Sequence, residues 1–305
     1  MRALIVTNMY PSAQRPALGS FVADQVAALR RTGEADIEVF AFAPGGYVAG
    51  ARALWARHRR DRFDIVHAHF GLTQWPALAA RARARAVTLH GTDLVHPRSR
   101  PVTLAGLRLS DLVAVVSEPM AAAIPRWAMR GRPAVLPAGV DLTRFARRDR
   151  AEARRALGLD PDGPYLLFAA DPARPEKRYD RAVVVADGVP LLTLGEVAPE
   201  QVPLWVNAAN AVLVPSEREG FGLAVLEALA CDVPVLATPV GVHPQALAGV
   251  PGTLCAPFSA DAWAAALAPH VAAADPRVEG RARAEPWSTD RMAARVLEAW
   301  RGLLG

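Results

Sequence analysis

Short apolar runs alternate along this chain with longer stretches in which apolar positions recur every three or four residues. That is the pattern of strands alternating with helices. Residues 4–6 read as a short buried strand. A loop with Pro11 and Pro16 follows, and Gly19-Ser20 opens a helix to about residue 31, with Phe21, Val22, Val26 and Leu29 on one face. Residues 37–41 form the next strand, 44–50 a Gly-rich loop, and 51–62 a strongly basic helix. A strand over 63–69, a helix over 73–85 and a strand over 86–89 lead to His90-Gly91-Thr92-Asp93. A strand at 112–116, a helix at 118–129 bent or broken at Pro125, and a strand at 134–136 complete the first series.

The alternation stops in a charged segment that closes with Pro161, Gly163 and Pro164, so residues 144–163 read as an interdomain connection. A second series then starts. Its strands are expected at 165–169, 189–194, 211–214, 234–237 and 253–255, and its helices at 179–186, 203–208, 244–248 and 260–274. A last helix spans 289–304. The predicted fold class is α/β: two Rossmann-like, doubly wound domains over 1–143 and 164–286, facing across a cleft, with 287–305 as a terminal helix. Ligands of such sheets bind beyond the carboxyl ends of the strands.

At 305 residues, 52% hydrophobic and 21% charged, the chain has a core large enough for two domains. The start reads as a strand, not a signal peptide, and no apolar stretch is long enough to span a bilayer, so a cytoplasmic protein is expected. The two cysteines, Cys231 and Cys255, read as free thiols. Charge is unevenly divided. Residues 1–150 carry 22 Arg, no Lys and 11 acids, a net +11, whereas the rest carries 13 basic residues and 19 acids, a net −6. A basic first half suits an anionic membrane surface, a phosphorylated acceptor or nucleic acid. A solvated arginine coat explains the same numbers equally well.

Four segments that follow strands carry candidate chemistry. In Ser216–Cys231, two glycines precede an apolar helix whose one acid is Glu227. Such an acid needs a partner or a polar ligand, and a Gly-led helix start attracts anions. Glu219 stands just before those glycines. In Asp171–Lys177, Arg174 and the only lysine of the chain, Lys177, are placed to hold a diphosphate. His90 and Asp93 are candidates for binding a sugar hydroxyl, with a helix cap and a core histidine as the plainer explanation. The Gly19 loop is the fourth. His67 and His69 share one face of a strand, but no spacing supplies a third metal ligand, so no metal is expected. The absence of Walker A, G-x-G-x-x-G and G-x-S-x-G sequences counts against an ATPase, a dehydrogenase and a serine hydrolase.

The spacing of Glu219 and Glu227 matches the E-x7-E motif of the family 4 retaining glycosyltransferases, enzymes of the two-Rossmann GT-B fold. PSEREGFGLAVLEALACDVPVLAT resembles that family's most typical segment, PAGVDLTRF its interdomain turn, and RPEKR its diphosphate-binding loop. TNMYPSAQRPALGSFVADQVAAL is similar to the first strand and helix of polysaccharide and teichuronic-acid type members. Two departures stand out. Ala170-Asp171 replaces the usual Gly-Arg, and Gln245 stands where the family carries an acid.

The resemblance implies a retaining transferase that moves a sugar from a nucleotide diphosphate donor to a hydroxyl acceptor, which could be lipid-linked. It implies no cofactor, no metal and no nucleic acid. Glu219, with Phe221, Gly222 and Leu223, would contact the donor sugar, and Glu227 the ribose. Arg174 and Lys177 would neutralise the leaving diphosphate. His90 would lie near the reacting carbon, Asp93 in the same loop, and Gly19 and Ser20 near the diphosphate or acceptor. The terminal helix would pack on the first domain. Peripheral docking on an anionic inner leaflet would use Arg52, Arg57, Arg59, Arg60 and Arg62 with Leu54 and Trp55. The alternatives are a non-catalytic nucleotide-sugar binding module and a GT-B sugar-nucleotide epimerase.

Overall fold

A computed structural model describes residues 1–195 and 197–305. The chain divides into two compact units, Met1–Gly139 with Thr289–Gly305, and Val140–Ser288.

The first unit runs β1 (Arg2–Thr7), α1 (Ser20–Arg31), β2 (Asp36–Ala41), α2 (Tyr47–His58), β3 (Arg62–His69), α3 (Gln74–Ala77), β4 (Arg81–Leu89), α4 (Thr92–Val95), α5 (Ser99–Gly106), β5 (Leu112–Val115), α6 (Glu118–Ala122) and β6 (Ala134–Val135). Its six strands are all parallel, in the order β2-β1-β3-β4-β5-β6. Strand order therefore reverses between β1 and β3, and the loops after those strands flank the position where such sheets bind ligands.

Three differences from the sequence pattern have physical causes. Residues 81–85, expected as the end of a helix, form the first half of β4. Arg and Ala are strong helix formers, but here they alternate. Arg81 and Arg83 are exposed and Ala84 is buried, so the period of two fits a strand with one face on the core. Arg85 turns back and donates to the carbonyls of Ala77 and Ala80 (2.9 and 2.7 Å), which ends α3. The helix α5 was not visible as an apolar periodicity. The basic helix α2 starts four residues earlier than expected, inside the Gly-rich stretch, and buries Leu54 completely. Leu54 is therefore core and no part of an exposed surface, whereas Val48 and Trp55 of the same helix are exposed.

The second unit runs α7 (Arg150–Ala156), β7 (Leu166–Phe168), α8 (Tyr179–Ala186), β8 (Leu191–Thr193), α9 (Val202–Ala208), β9 (Ala211–Val214), α10 (Leu223–Ala230), β10 (Val235–Ala237), α11 (His243–Leu247), β11 (Leu254–Cys255), α12 (Ala260–Ala272) and α13 (Arg281–Ala284). The sheet is again parallel, ordered β11-β10-β9-β7-β8. Its reversal lies between β7 and β9.

Residues 144–163, expected as a connection, pack into this unit. Arg150 and Arg154 of α7 are buried and cap carbonyls at 208, 209 and 276, with Arg154 also donating to Asn210 Oδ1 at 2.7 Å. Guanidinium groups with several satisfied donors can be buried where a lone charge cannot. Cys231 and Cys255 are both free thiols, and burial pushes Cys231 up to about 12.

The final helix, α14 (Thr289–Leu304), belongs to the first unit. Met292, Ala293, Val296, Leu297 and Trp300 recur on one of its faces and join Val22, Val26 and Leu29 of α1 over Ile5, Ile65 and Ala84. Among the described residues no helix is long and apolar enough to cross a membrane.

Candidate active site

In the second unit the loops after β7 and β9 meet because those strands are neighbours at the reversal. The backbone joins them first, Glu217 N donating to Glu176 O at 2.9 Å. Lys177 Nζ then donates to both carboxylate oxygens of Glu219, at 2.7 and 2.6 Å. Ser216 adds a hydroxyl bond to Glu219 Oε1 at 2.8 Å. The pair is largely shielded, with side-chain exposures of 14% and 9%, so water screens it little. An ammonium has three donors, and Glu219 engages two of them.

The glycines around this pair leave no room for side chains. A Cβ on Gly241 would lie 2.2 Å from Phe221 O and 3.0 Å from Glu219 Cβ. Gly222, at φ +105°, opens α10, and its Cβ would lie 2.5 Å from His243 Nε2. His243 is wholly buried. Its Nδ1 donates to Thr238 O at 2.8 Å, which leaves Nε2 as an acceptor with no partner among the described residues. Burial holds this imidazole below its ordinary pKa and so neutral. Val242 N donates to Phe221 O at 2.7 Å, so that carbonyl is already engaged. Glu227 lies half-buried one turn further along α10, and Leu223 is its first residue.

Arg174 is not brought into this cluster. Its side chain is 54% exposed and forks onto Glu176 Oε1 at 3.0 and 2.6 Å. Asp171, at the place of the missing arginine, accepts from Ala173 N at 2.8 Å and so shapes the turn. Gln245 is exposed on α11.

In the first unit, the ends of β3 and β4, with α1 and α14, assemble a column of rings. Trp300 meets His67 edge-on at 5.7 Å, His67 stacks on His69 at 4.8 Å, His69 on His90 at 5.2 Å, and His90 meets Phe21 at 4.8 Å. Bonds run along the same line. Trp300 Nε1 donates to His67 Nδ1 (3.1 Å), so His67 Nε2 carries the proton and donates to Thr88 Oγ1 (2.7 Å). His69 Nδ1 and His90 Nε2 share a hydrogen bond of 3.0 Å. Burial drives His69 down to about 4, and burial with the neighbouring imidazoles holds His67 and His90 well below their ordinary value. The column is neutral at physiological pH.

Phe21 belongs to the first turn of α1, directly after Gly19 and Ser20. Gly19 sits at φ +69°, and a Cβ there would lie 2.2 Å from Met9 O. Asp93 is placed differently from the sequence expectation. It is wholly buried, and its two oxygens accept from the backbone N–H groups of Gly71 and His90. Asp93 therefore braces the His90 loop and is not presented to a sugar hydroxyl. Burial raises it to about 6 despite those bonds.

The residues that sequence reasoning did not assign to the site are Ser216, His243, Phe21 and the pair His67 and His69. The His-x-His alternation placed the pair on one strand face, but only the fold sets His90 of the next strand against it. Among the described residues no group of three or more His, Cys, Asp or Glu is arranged to hold a metal.

Two parallel Rossmann-like units, with a Lys–Glu pair and a Gly-led helix at the strand reversal of the second, fit the two-Rossmann GT-B fold. The family description "Glycosyltransferase Family 4" matches residues 14–144 and "Glycosyl transferases group 1" matches residues 165–271. The chain belongs to this glycosyltransferase family. It is 32% identical over 285 residues to the D-inositol 3-phosphate glycosyltransferase of Actinosynnema mirum, covering 72% of this chain and 67% of that one. The enzyme of the same name from Mycolicibacterium gilvum is 31% identical over 294 residues, covering 80% and 66%. The chain thus spans about two thirds of the length of these relatives. Among solved structures, sucrose-phosphate synthase from Thermosynechococcus elongatus superimposes with TM-score 0.74 at 19% identity, covering 99% of both chains. Anabaena HepE in complex with UDP and glucose superimposes with TM-score 0.72 at 16% identity, covering 99% of this chain and 100% of that one.

Proposed function

We propose that this chain transfers a glycosyl group, with retention, from a nucleotide diphosphate sugar to a hydroxyl acceptor. The observation that carries the reading is the shielded Lys177–Glu219 pair beside the Gly222 helix start. Solved relatives of the same fold hold UDP and UDP-glucose, which supports a nucleotide diphosphate donor. The donor diphosphate takes the free N–H groups at the start of α10 and the remaining donor of Lys177 Nζ. Glu219 is then freed to accept from a hydroxyl of the transferred sugar, and Glu227 from the ribose. Arg174 leaves Glu176 and joins the phosphates.

As the glycosidic bond lengthens, positive charge develops at the anomeric carbon and negative charge on the diphosphate. Stabilising that diphosphate is the chief contribution of the protein. The acceptor attacks from the face the diphosphate leaves, and a departing phosphate oxygen takes its proton. No carboxylate nucleophile is required, unlike the paired carboxylates of retaining glycosidases, and no metal is assigned a role.

The testing experiment is a thermal-shift screen of nucleoside diphosphates and their sugars, followed by a donor turnover assay of Lys177→Ala. One base should stabilise the protein, and the variant should lose at least about 100-fold in turnover with its fold intact. Near-normal turnover would overturn the assignment.

We also propose peripheral docking of the first unit on an anionic inner leaflet. Exposed Val48 and Trp55 lie among exposed Arg52, Arg57, Arg59, Arg60 and Arg62. Equal co-sedimentation with neutral and anionic vesicles would remove this reading.

A further inference from the structure

The first unit carries an open pocket of about 420 Å³ beside the His90 loop, lined by Tyr47, Leu72, Trp75, His96, Arg98, Ser99 and Val102. Its walls come from three places that the sheet brings together. Tyr47 starts α2, Leu72 and Trp75 follow β3, and the other four precede or lie in α5. The pocket is joined to the His90 loop through α4, whose Asp93 holds the amide of His90. It lies at the carboxyl end of the sheet, because Asn8, directly after β1, donates from Nδ2 to Tyr47 Oη at 3.1 Å.

The chemistry of the walls is selective. Both aromatic residues have turned their polar atoms to the protein. Trp75 Nε1 donates to Val102 O at 3.2 Å, and Tyr47 Oη holds Asn8. What faces the pocket is ring carbon, with the aliphatic side chains of Leu72 and Val102. Trp75 and Val102 are 38% and 45% exposed, apolar surface left open to water. Of the polar lining residues, His96 and Arg98 are exposed, and Ser99 is buried with its hydroxyl donating to His96 O at 3.5 Å. Hydroxyls of a polyol would lie against carbon here without partners, which is unfavourable. A flat ring or an alkyl chain would gain from covering the same carbon.

We propose that this pocket is the acceptor subsite and that it takes an apolar group carried by the acceptor, an aromatic ring or an alkyl chain, beside the hydroxyl that is glycosylated. The inference rests on the transferase reading above and adds the acceptor's class to it. It separates this chain from an enzyme whose acceptor is a small polyol phosphate. Two sources share the chemistry, a lipid-linked acceptor and a soluble aromatic one, and the length dependence distinguishes them.

The test is calorimetric titration of the full chain, with UDP present, by methyl, octyl and 2-naphthyl β-glucopyranoside. The octyl or the naphthyl compound should bind at least about tenfold more tightly than the methyl compound. If a lipid is the source, affinity rises by up to about fourfold per methylene through the alkyl series, since each buried methylene is worth about 0.8 kcal/mol. If a soluble aromatic is the source, the naphthyl compound binds best and alkyl length matters little. Trp75→Ala and Val102→Asp, checked by circular dichroism for an intact fold, should each weaken that binding about tenfold and leave the UDP thermal shift unchanged. Equal affinity for all three glucosides, or variants that bind the tighter one as the parent does, would overturn the proposal. Loss of UDP binding in the parent would instead strike the donor reading, and the glucoside series read without UDP would still decide the pocket.

Discussion

Acidification should unfold the first unit through its histidine column, and substituting His69 by Phe should remove one proton from that response. His69 is completely buried and its pKa falls from 6.5 to about 4 on folding. The unfolded chain therefore takes up a proton as pH falls through 6.5, while the folded chain does not until about 4. The associated stability is present in full above pH 6.5 and is lost on the way down to 4, about 3 kcal/mol in all. His67 and His90 are shifted in the same direction. Asp93 opposes them, because its folded pKa is raised from 3.8 to about 6. Between those values the folded chain holds a proton that the unfolded chain lacks, so this term favours folding as pH falls. Near pH 5 His69 accounts for one proton gained on unfolding, a slope of about 1.4 kcal/mol per pH unit with stability falling as pH falls. His69→Phe should lower the measured slope by about that amount. Urea unfolding followed by far-UV circular dichroism at several pH values between about 5 and 7 measures it. Equal slopes for parent and variant would refute the argument that the column stays neutral because it is buried.

Further outcomes can be checked singly. Arg174→Ala should reduce donor turnover less than tenfold, well short of the Lys177→Ala loss, because Arg174 is exposed and joins the phosphates only by giving up its bonds to Glu176; steady-state kinetics decide it. Gly222→Ala should destabilise the second unit by about 2 kcal/mol or more, from the left-handed φ and the crowding of His243, and a urea midpoint unchanged from the parent would contradict this. Arg154→Ala should cost about 3 kcal/mol, since it removes three charge-assisted bonds and leaves buried acceptors unpaired; thermal unfolding would register it as a lowered midpoint. Glu227→Ala should abolish most donor binding while the protein stays folded, and a thermal shift by nucleotide equal to that of the parent would sink its role.

The alternation of apolar runs and amphipathic stretches was sufficient to reveal two doubly wound series, because strand and helix periods are local properties of the chain. It placed β9, α8 and α14 with the bounds the structure has. Motif spacing likewise marked Lys177, Glu219 and Gly222 as neighbours of strand ends. Periodicity failed where propensity and pattern disagreed. The Arg-Ala repeat of β4 reads as helix by propensity, and only pairing with β3 makes its alternation decisive. The segment 144–163 looked like a connection because it is charged, yet its arginines are buried against carbonyls supplied by residues more than fifty positions away.

The same division holds within the site. Residue types and their order showed that a cation, two acids and a glycine-led helix lie near the ends of strands. Tertiary structure decided which of them meet. Strand order in the second sheet makes β7 and β9 neighbours, so Lys177 reaches Glu219, while Arg174, three residues earlier, turns outward to Glu176. In the first unit it set Asp93 beneath the His90 loop as a brace, and it aligned Trp300, His67, His69 and His90 from three separate stretches of chain. Contacts of that kind depend on which strands lie side by side, and no local pattern of hydrophobic and polar residues encodes that order.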